Sequence, residues 1–363
     1  MTAADRNGSN AESGSPGPGA DEATLRGLEL VARRPLLDGP IEVLFRLAPG
    51  DRPLVVAGDV IVAGTSIAER LRDPRVVELA PGAAPEDARS GDRWMSAGTH
   101  AGVRLRRGGG TEAGELLYEH DSHWALAAGE HPEPVDCPLA GVVRDVRPGI
   151  GIRVRAQGLA LRGVEALGDP TSGRLSLGQD RGDLRHGRLR STSLDVGLAG
   201  TILVIGTRVD AEALTRARAM GVRGVIVSGL AGKERRDFLA SEARQRAALH
   251  RLPPFAVLIL DGALRRPIAG PVTHLLEQLA GASVAITIDP PALVFDEPGL
   301  DVTPPPADLV RVRSGEHAGQ EGRWAGLAGV RRFAGGTFLE AGWVRLEDAA
   351  PLAVPIADLE RFA

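Results

Sequence analysis

The residue types best suited to chemistry lie close together in the first half of the chain. Residues 119–123 read Glu-His-Asp-Ser-His, and His131, Asp136 and Cys137 follow downstream. Imidazole, carboxylate and thiolate groups are the ligands that zinc uses in proteins. On a strand, however, two ligands share a face only when they are two residues apart, and His120 and His123 are three apart. Because no second pair of ligands follows, we interpret the segment as a solvated loop and predict neither a metal site nor a cofactor.

A second candidate site lies where three apolar runs end in the second half of the chain. The residues that follow these runs are Thr207, Ser228 and Asp261. In a parallel α/β sheet, ligands lie beyond the carboxyl ends of the strands, where helix N-termini hold anions. The sequence contains no glycine-rich dinucleotide fingerprint, no Walker lysine loop and no Gly-x-Ser-x-Gly elbow. Helix capping by Thr207 and Asp210 and a turn at Asp261 are therefore favoured, and binding of a small anion is the alternative.

Composition bounds the class of protein. The length of 363 residues indicates three domains, and Cys137 is the only cysteine, which excludes an internal disulfide. No apolar stretch is long enough to span a membrane, and residues 1–24 read as a disordered tail without a secretory signal, so we expect a cytoplasmic protein without a membrane partner. The formal net charge of −4 argues against a general nucleic-acid binder, and nothing signals DNA specificity.

Residues 25–178 are predicted to form a mainly-β domain, because short alternating apolar runs are separated by Gly and Pro turns. Two pieces, 55–67 and 138–154, share the spacing of their turn glycines. Each piece resembles half of the barrel-sandwich hybrid fold of biotinyl and lipoyl carrier domains, with some other β-sandwich as the alternative. Those carriers present a modifiable lysine, whereas Lys233 is the only lysine of this chain. We therefore expect neither biotin nor lipoate.

The second half of the chain changes its periodicity. Apolar runs alternate with helical segments over residues 200–288, which predicts a small parallel α/β domain. A polar, arginine-rich stretch at 179–199 precedes it and is interpreted as a linker. A second linker is predicted at 289–307, because prolines at 290, 291 and 304–306 lack the backbone N–H groups that helices and sheets need.

The last segment, residues 308–363, opens with alternating Val310 and Val312 and then places glycines at positions 315, 319 and 322. This pattern resembles the KOW motif of ribosomal large-subunit proteins and of the elongation factor NusG, in which a strand and a glycine loop lead into a second strand. The resemblance implies a small SH3-like β-barrel that binds RNA or protein of the transcription or translation machinery. It places the partner-binding residues at Arg311, Arg313, Gly315, Gly319, Gly322, Arg323 and Trp324.

The expected function follows from this last segment. Residues 308–363 contain seven arginines and eight acidic residues, and this net charge of −1 favours a protein partner over bare phosphate. Trp324 either stacks on a base or fills the core of a small barrel. We expect a non-catalytic binding or adaptor protein. The alternative is an enzyme or sensor that binds a small anionic ligand through Thr207, Ser228 and Asp261.

Overall fold

The computed structural model describes thirteen ranges of the chain, which are residues 26–47, 51–72, 76–79, 104–106, 113–120, 123–128, 131–177, 196–207, 209–248, 253–297, 299–300, 303–346 and 350–363. The tail predicted at 1–24 lies outside these ranges. So does most of the linker predicted at 179–199.

The described elements are mostly β, with several sheets and few helices. In the first half of the chain the strands are β1 (Ala32–Arg34), β2 (Glu42–Arg46), β3 (Arg52–Pro53), β4 (Val60–Ile61), β5 (Ser66–Arg72), β6 (Val76–Leu79), β7 (Arg104–Arg106), β8 (Ala113–His120), β9 (His123–Ala128), β10 (His131–Asp136), β11 (Gly141–Arg147), β12 (Gly151–Ala156), β13 (Leu159–Arg162), β14 (Glu165–Gly168) and β15 (Thr171–Leu177).

The second half contains both helices and strands. Its strands are β16 (Thr201–Ile205), β17 (Gly224–Val227), β18 (Ala256–Ile259), β19 (Ser283–Ile288), β20 (Pro291–Phe295), β21 (Leu309–Val312), β22 (Glu321–Arg332), β23 (Phe338–Leu346), β24 (Leu352–Pro355) and β25 (Leu359–Phe362). Its α-helices are α1 (Ala211–Ala219), α2 (Gly232–Ala248) and α3 (Gly270–Gln278), and short 3-10 turns occupy Val196–Leu198, Ala334–Gly336 and Ile356–Asp358.

The chain divides into two compact units. The C-terminal unit contains the described residues up to Leu36 together with Ala269–Pro271 and Val302–Ala363, and the large unit contains Leu37–Ile268 and Val272–Asp301. The sequence indicates three domains, whereas the structure forms two units, and the predicted boundaries also differ at the N-terminal end. They assign residues 26–36 to the β-rich domain, whereas the structure groups these residues with the far end of the chain.

The β-rich part of the large unit contains the sheets β2-β12-β11-β4, β10-β5-β3 and β6-β9-β8-β7. The two pieces with similar glycine spacing pair with each other, because Gly58 N donates to Val143 O at 2.8 Å and Gly64 N donates to Cys137 O at 2.7 Å. Both glycines have positive φ, which the tight turns there require. Aliphatic residues from these strands form one buried core, including Val43, Ile67 and Val154.

The rest of the large unit is an eight-stranded sheet in the order β13-β20-β19-β15-β16-β17-β18-β14. Strands β15 to β18 run parallel to one another, and β16, β17 and β18 are joined through α1 and α2. These two helices pack Leu214 and Phe238 against Val225 and Val257 of the sheet. The predicted alternation of strands and helices is therefore present, within a larger sheet than the sequence indicates.

Four strands of this sheet come from stretches that the sequence assigns elsewhere. Strands β13 to β15 belong to the predicted β-rich domain, and β20 belongs to the predicted proline linker. Strand β20 begins at Pro291, and a strand tolerates proline at its first residue because no N–H donor is needed there. The reading of 289–307 as a continuous linker is therefore wrong for residues 291–295.

The C-terminal unit is a six-stranded sheet in the order β1-β25-β21-β22-β23-β24. Strand β1 pairs in parallel with β25, from Ala32 opposite Glu360 to Arg34 opposite Phe362. The core of this unit contains Val310, Val312, Trp324 and Val344, together with Leu28 and Val31 from the other end of the chain. Among the described residues, no helix is long and apolar enough to cross a membrane.

Candidate functional site

The loop between β21 and β22 carries the glycines of the predicted motif. Gly315 and Gly319 have φ of 78° and 89°, a conformation that side chains with a Cβ rarely adopt. Gly319 N donates to Val312 O at 2.8 Å, and Val312 N donates to Gln320 O at 2.9 Å, so backbone hydrogen bonds close the loop at its base. Ser314 Oγ donates to Asp358 and ties the loop to the turn that precedes β25.

Gly322 serves a different purpose from the two loop glycines. Its φ is not in the left-handed region, but a Cβ at this position would lie 2.6 Å from Arg345 O of the paired strand β23. Real Cβ atoms do not approach a carbonyl oxygen so closely. Gly322 therefore permits the close approach of β22 and β23 and does not contribute a surface for a partner.

Two of the residues predicted to bind a partner are buried. Trp324 is only 5% exposed, and its ring packs against Gly342, where any Cβ would overlap it. Arg311 is 1% exposed, and its Nη1 donates to Glu360 Oε1 at 3.4 Å. The sequence places Arg311 and Trp324 among the partner-binding residues, and because both are buried this expectation is wrong for these two. A small sheet needs a large aromatic side chain to fill its core, which is the alternative that the sequence left open for Trp324.

The remaining arginines of the prediction lie on the face of the sheet opposite to this core. Side chains alternate between the two faces of a strand, so Arg313 shares a face with Arg311, and Arg323, opposite Leu309, lies on the same face. Arg313 and Arg323 are both about half exposed, at 51% and 53% of their side chains. Arg323 pairs with Asp308, and Arg313 Nε lies 3.9 Å from Glu360. Both guanidinium groups are therefore half exposed, and each has an acidic neighbour within the unit.

Sequence reasoning missed Arg345, which adds to this exposed face. Arg345 lies directly opposite Arg323 in the pairing of β22 with β23, and it is exposed. It forms no ion pair with any residue that the structure describes. Strand alternation places Arg345 and Val344 on opposite faces, but only the burial of Val344 in the structure shows which face is solvated at this position. The exposed arginines of this face are therefore Arg313, Arg323 and Arg345.

The N-terminal contribution to this unit was also missed. Leu28 and Val31 are 2% and 1% exposed, and a Cβ on Gly27 would lie 2.8 Å from Leu327 Cγ. The available signal was the apolar pair at 28 and 31, but nothing in sequence indicates which domain such a short segment joins.

Strand β1 also places Arg33 beside Arg361. Burial and the charge of Arg33 lower the pKa of Arg361, and the charge of Glu29 partly offsets this decrease.

The residues of the anion-site alternative do converge, at the carboxyl ends of β16, β17 and β18. Ser228 N donates to Gly206 O at 3.1 Å, and Asp261 N donates to Ser228 O at 2.7 Å, so the three strand ends are tied together by backbone hydrogen bonds. We call Thr207, Ser228 and Asp261 the strand-end crevice. Asp210 caps α1 by accepting from Ala213 N at 2.6 Å, as the sequence predicts.

The centre of the strand-end crevice is covered by the protein itself, whereas Thr207 and Asp261 at its sides are half-buried. Ser228 has no exposed surface, and its Oγ makes no hydrogen bond within the described part of the chain. A Cβ on the next residue, Gly229, would overlap the carbonyl oxygen of Leu264. Leu230 N also donates to Gly262 O at 3.0 Å, so the loop 261–264 lies directly over the end of β17.

The polar cluster of the first half lies partly outside the described residues, which lack Asp121 and Ser122. His120 ends β8 and His123 begins β9, and the two positions are paired in the register of these strands, so the solvated loop predicted over 119–123 is wrong for the two histidine positions. Cys137 is fully buried, and burial raises the pKa of its thiol to about 11. Ser66 Oγ donates to Asp136 at 2.5 Å. Over the described ranges, no group of three His, Cys, Asp or Glu side chains is arranged to hold a metal ion.

Comparisons of this chain with protein-family models, with curated proteins and with solved structures found no match. The geometry of the two units is therefore the basis for a functional proposal.

Proposed function

We propose that the chain is a non-catalytic binding or adaptor protein, and that its C-terminal unit engages a protein of the transcription or translation machinery. In this proposal residues 308–363 form an SH3-like barrel of the KOW type, completed by the segment 26–36, and residues 37–156 contain a part like a barrel-sandwich hybrid. The observation that carries the proposal is the closed glycine loop between β21 and β22, which lies beside exposed arginines.

The exposed arginine face supports a partner with acidic groups. Arg313, Arg323 and Arg345 are exposed on one face of the sheet, and arginine forms bidentate hydrogen bonds with carboxylates. Asp308, Glu321 and Glu360 belong to the same face by strand alternation or pairing, so its field is mixed. A mixed field suits a protein surface better than a phosphate backbone, which binds where positive charge is concentrated.

The closed strand-end crevice argues against the alternative of an enzyme or sensor. A small-molecule site is a concave pocket with convergent polar groups. Here the central residue, Ser228, is inaccessible, and the backbone of the loop 261–264 occupies the space beside Gly229. Binding of an anion at Ser228 would require that loop to give up its hydrogen bonds with Ser228 and Leu230.

The proposal is tested by titrating the intact chain with RNA polymerase, with ribosomes and with single-stranded RNA. The intact chain is needed because residues 26–36 contribute to the C-terminal unit. A double variant, Arg313→Ala with Arg323→Ala, should weaken binding to polymerase or ribosomes by about tenfold or more, since truncated interface arginines commonly cost about 1–2 kcal/mol each. Arg144→Ala is the matched control, because Arg144 is exposed and belongs to the large unit.

The outcomes separate the candidate partners. Binding to RNA alone, with the slope of log affinity against log salt falling by about 0.7 per removed arginine, would replace the protein partner with RNA. Binding to none of the three by a folded chain would contradict the proposal. Binding of a small anion that is abolished by Ser228→Val would favour the enzyme or sensor instead.

A further inference from the structure

The C-terminal sheet is open at two edges. Strands β1 and β24 are the first and last in its order, so among the described residues each has a hydrogen-bonded neighbouring strand on one side only. The outer side of an edge strand presents backbone N–H and C=O groups that can pair with another extended chain. Proteins usually shorten, cover or charge such edges, and β1 is short and carries Arg33 and Arg34, whereas β24 carries no charged residue.

Both edges border the same cleft. A cleft of about 330 Å³ is lined from one side by Leu30 and Ala32, at β1, and from the other by Pro355, Ile356 and Ala357, at the end of β24. Leu339 and Glu340 of β23 complete the lining. We call this the edge cleft. The edge cleft therefore lies between the start of the first strand of the sheet and the end of the last.

The walls of the edge cleft are aliphatic and accessible. Leu30 is 60% exposed and Leu339 is 38% exposed, although both lie close to well-buried residues such as Val31 and Ala341. Apolar side chains that remain exposed side by side in a concave surface are typical of sites that bind another molecule. An extended segment with an aliphatic residue at alternate positions would bury them, since every second side chain of a strand faces the same way.

The charge of the edge cleft selects among extended chains. Glu340 is the only charged residue of its lining, and it forms no ion pair with the described residues. A carboxylate at the edge of an aliphatic wall attracts a lysine or arginine, whose aliphatic stem also covers apolar surface. The same carboxylate repels phosphate, which disfavours a nucleic acid at this place.

We propose that the edge cleft binds an extended segment of a partner protein by strand addition, and that this segment carries aliphatic residues at alternate positions with a lysine or arginine facing Glu340. The inference rests on the proposed function, because it names the chemistry of the partner that the C-terminal unit engages. Main-chain hydrogen bonds to a free edge supply affinity in this mode, and pockets for alternate side chains supply specificity.

The experiment uses the intact chain and two capped peptides of about six residues, the usual length of a strand. One peptide alternates valine with lysine and the other alternates valine with glutamate, and both are titrated by fluorescence anisotropy. The valine–lysine peptide should bind at least about tenfold more tightly, because Glu340 repels the glutamates of the other peptide. Glu340→Lys should reverse this preference.

A matched pair of leucine variants localises the binding. Leu339→Asp should weaken binding of the valine–lysine peptide by about tenfold or more, because it places a charge in the aliphatic wall. Leu239→Asp is the control, since Leu239 is 37% exposed, almost the same as Leu339, but belongs to α2 of the large unit. Circular dichroism checks that each variant is folded. Equal binding of the two peptides, or binding that neither Leu339→Asp nor Glu340→Lys changes, would overturn the inference.

Two further results distinguish this inference from the proposed function. If polymerase or ribosomes bind the chain and Leu339→Asp leaves that binding unchanged, the edge cleft is not the docking site, although the adaptor role stands. If the valine–lysine peptide binds as expected but neither assembly does, the cleft stands and the proposed partner is wrong. A dimer that sediments as such and dissociates on Leu339→Asp would show that a second copy occupies the cleft, which also overturns the inference.

Discussion

The strand-end crevice of the large unit and the edge cleft of the C-terminal unit are both places where strands leave backbone groups without a neighbour in the sheet. In the crevice, the protein supplies the missing partners itself, through Gly206, Asp261 and the loop over Gly229. The edge cleft has a volume of about 330 Å³, lies at the ends of two edge strands and has exposed leucines on its walls. The difference shows that sequence position at the end of a parallel strand does not by itself make a site. What matters is whether the surrounding loops leave the groups accessible.

The largest effect is expected from removing the N-terminal segment that borders the edge cleft. A chain that begins at residue 36 loses β1, Leu28 and Val31, and each buried aliphatic residue is worth about 2–5 kcal/mol. The C-terminal unit should lose roughly 4–10 kcal/mol, which is comparable with the whole stability of a small domain. Hydrogen exchange of β21, β22 and β25 should become fast.

The control for this truncation is a chain that begins at residue 26, which keeps every described contact of the segment. Its hydrogen exchange in β21, β22 and β25 should match that of the full chain. Slow exchange in the chain that begins at residue 36 would show that the C-terminal unit is stable without β1. The wall that β1 gives to the edge cleft would then contribute nothing to the stability of the unit.

The next effect distinguishes a core residue from a binding residue. Trp324→Ala should lower the free energy of unfolding of the C-terminal unit by about 3–5 kcal/mol, because it empties the core beside Gly342. Phe338→Ala should change it by less than about 0.5 kcal/mol, since Phe338 is 66% exposed. Urea denaturation measures both. A Trp324→Ala variant of unchanged stability but weaker partner binding would restore the expectation that Trp324 binds a partner.

A smaller effect tests whether the strand-end crevice is closed. Gly229→Ala should destabilise the large unit by about 1–3 kcal/mol, because the new Cβ overlaps the carbonyl of Leu264. Gly232→Ala, three residues further on, should be neutral or stabilising, since its nearest neighbour is the flexible side chain of Arg236 at 3.6 Å. If thermal denaturation shows no difference between the two variants, the loop over the crevice moves freely and the crevice is open to ligands.

The smallest effect at neutral pH concerns the buried thiol of the β-rich part. Because burial raises the pKa of Cys137 from 9.0 to about 11, the native chain holds its proton where the unfolded chain releases it. The contribution of Cys137 to the free energy of unfolding should therefore be constant below pH 9 and decline between pH 9 and pH 11. Iodoacetamide should react at pH 8 roughly 100-fold more slowly with the native than with the unfolded chain. Equal rates would show that Cys137 is accessible.

Local rules predicted local features of this chain well. Asp210 caps α1, and Gly315 and Gly319 adopt the positive φ expected of glycines in a tight loop, because these features depend on nearest neighbours. Long-range pairing was not accessible to the same reasoning. Strand β1 pairs with β25, which lies almost the whole chain away, and β20 pairs with β13 and β19. The segments involved are short and carry no periodic signal that would reveal their partners.

Side-chain exposure was the other limit of sequence reasoning. Alternation within β21 and β22 assigns residues to two faces, but it does not tell which face is solvated. Arg311 is buried and Arg313 is exposed although they share a face, and Trp324 belongs to the core. The edge cleft was not predictable either, because it joins residues 30–32 to residues 339–357 through the order of strands in the sheet.

The most direct test of the central claim is hydrogen exchange of the intact chain with and without the valine–lysine peptide. The account predicts added protection at β1 and β24, which border the edge cleft, and no change at residues 206–207, 228–230 and 261–264 of the strand-end crevice. Protection at the crevice, or protection that leaves both β1 and β24 unchanged, would contradict it.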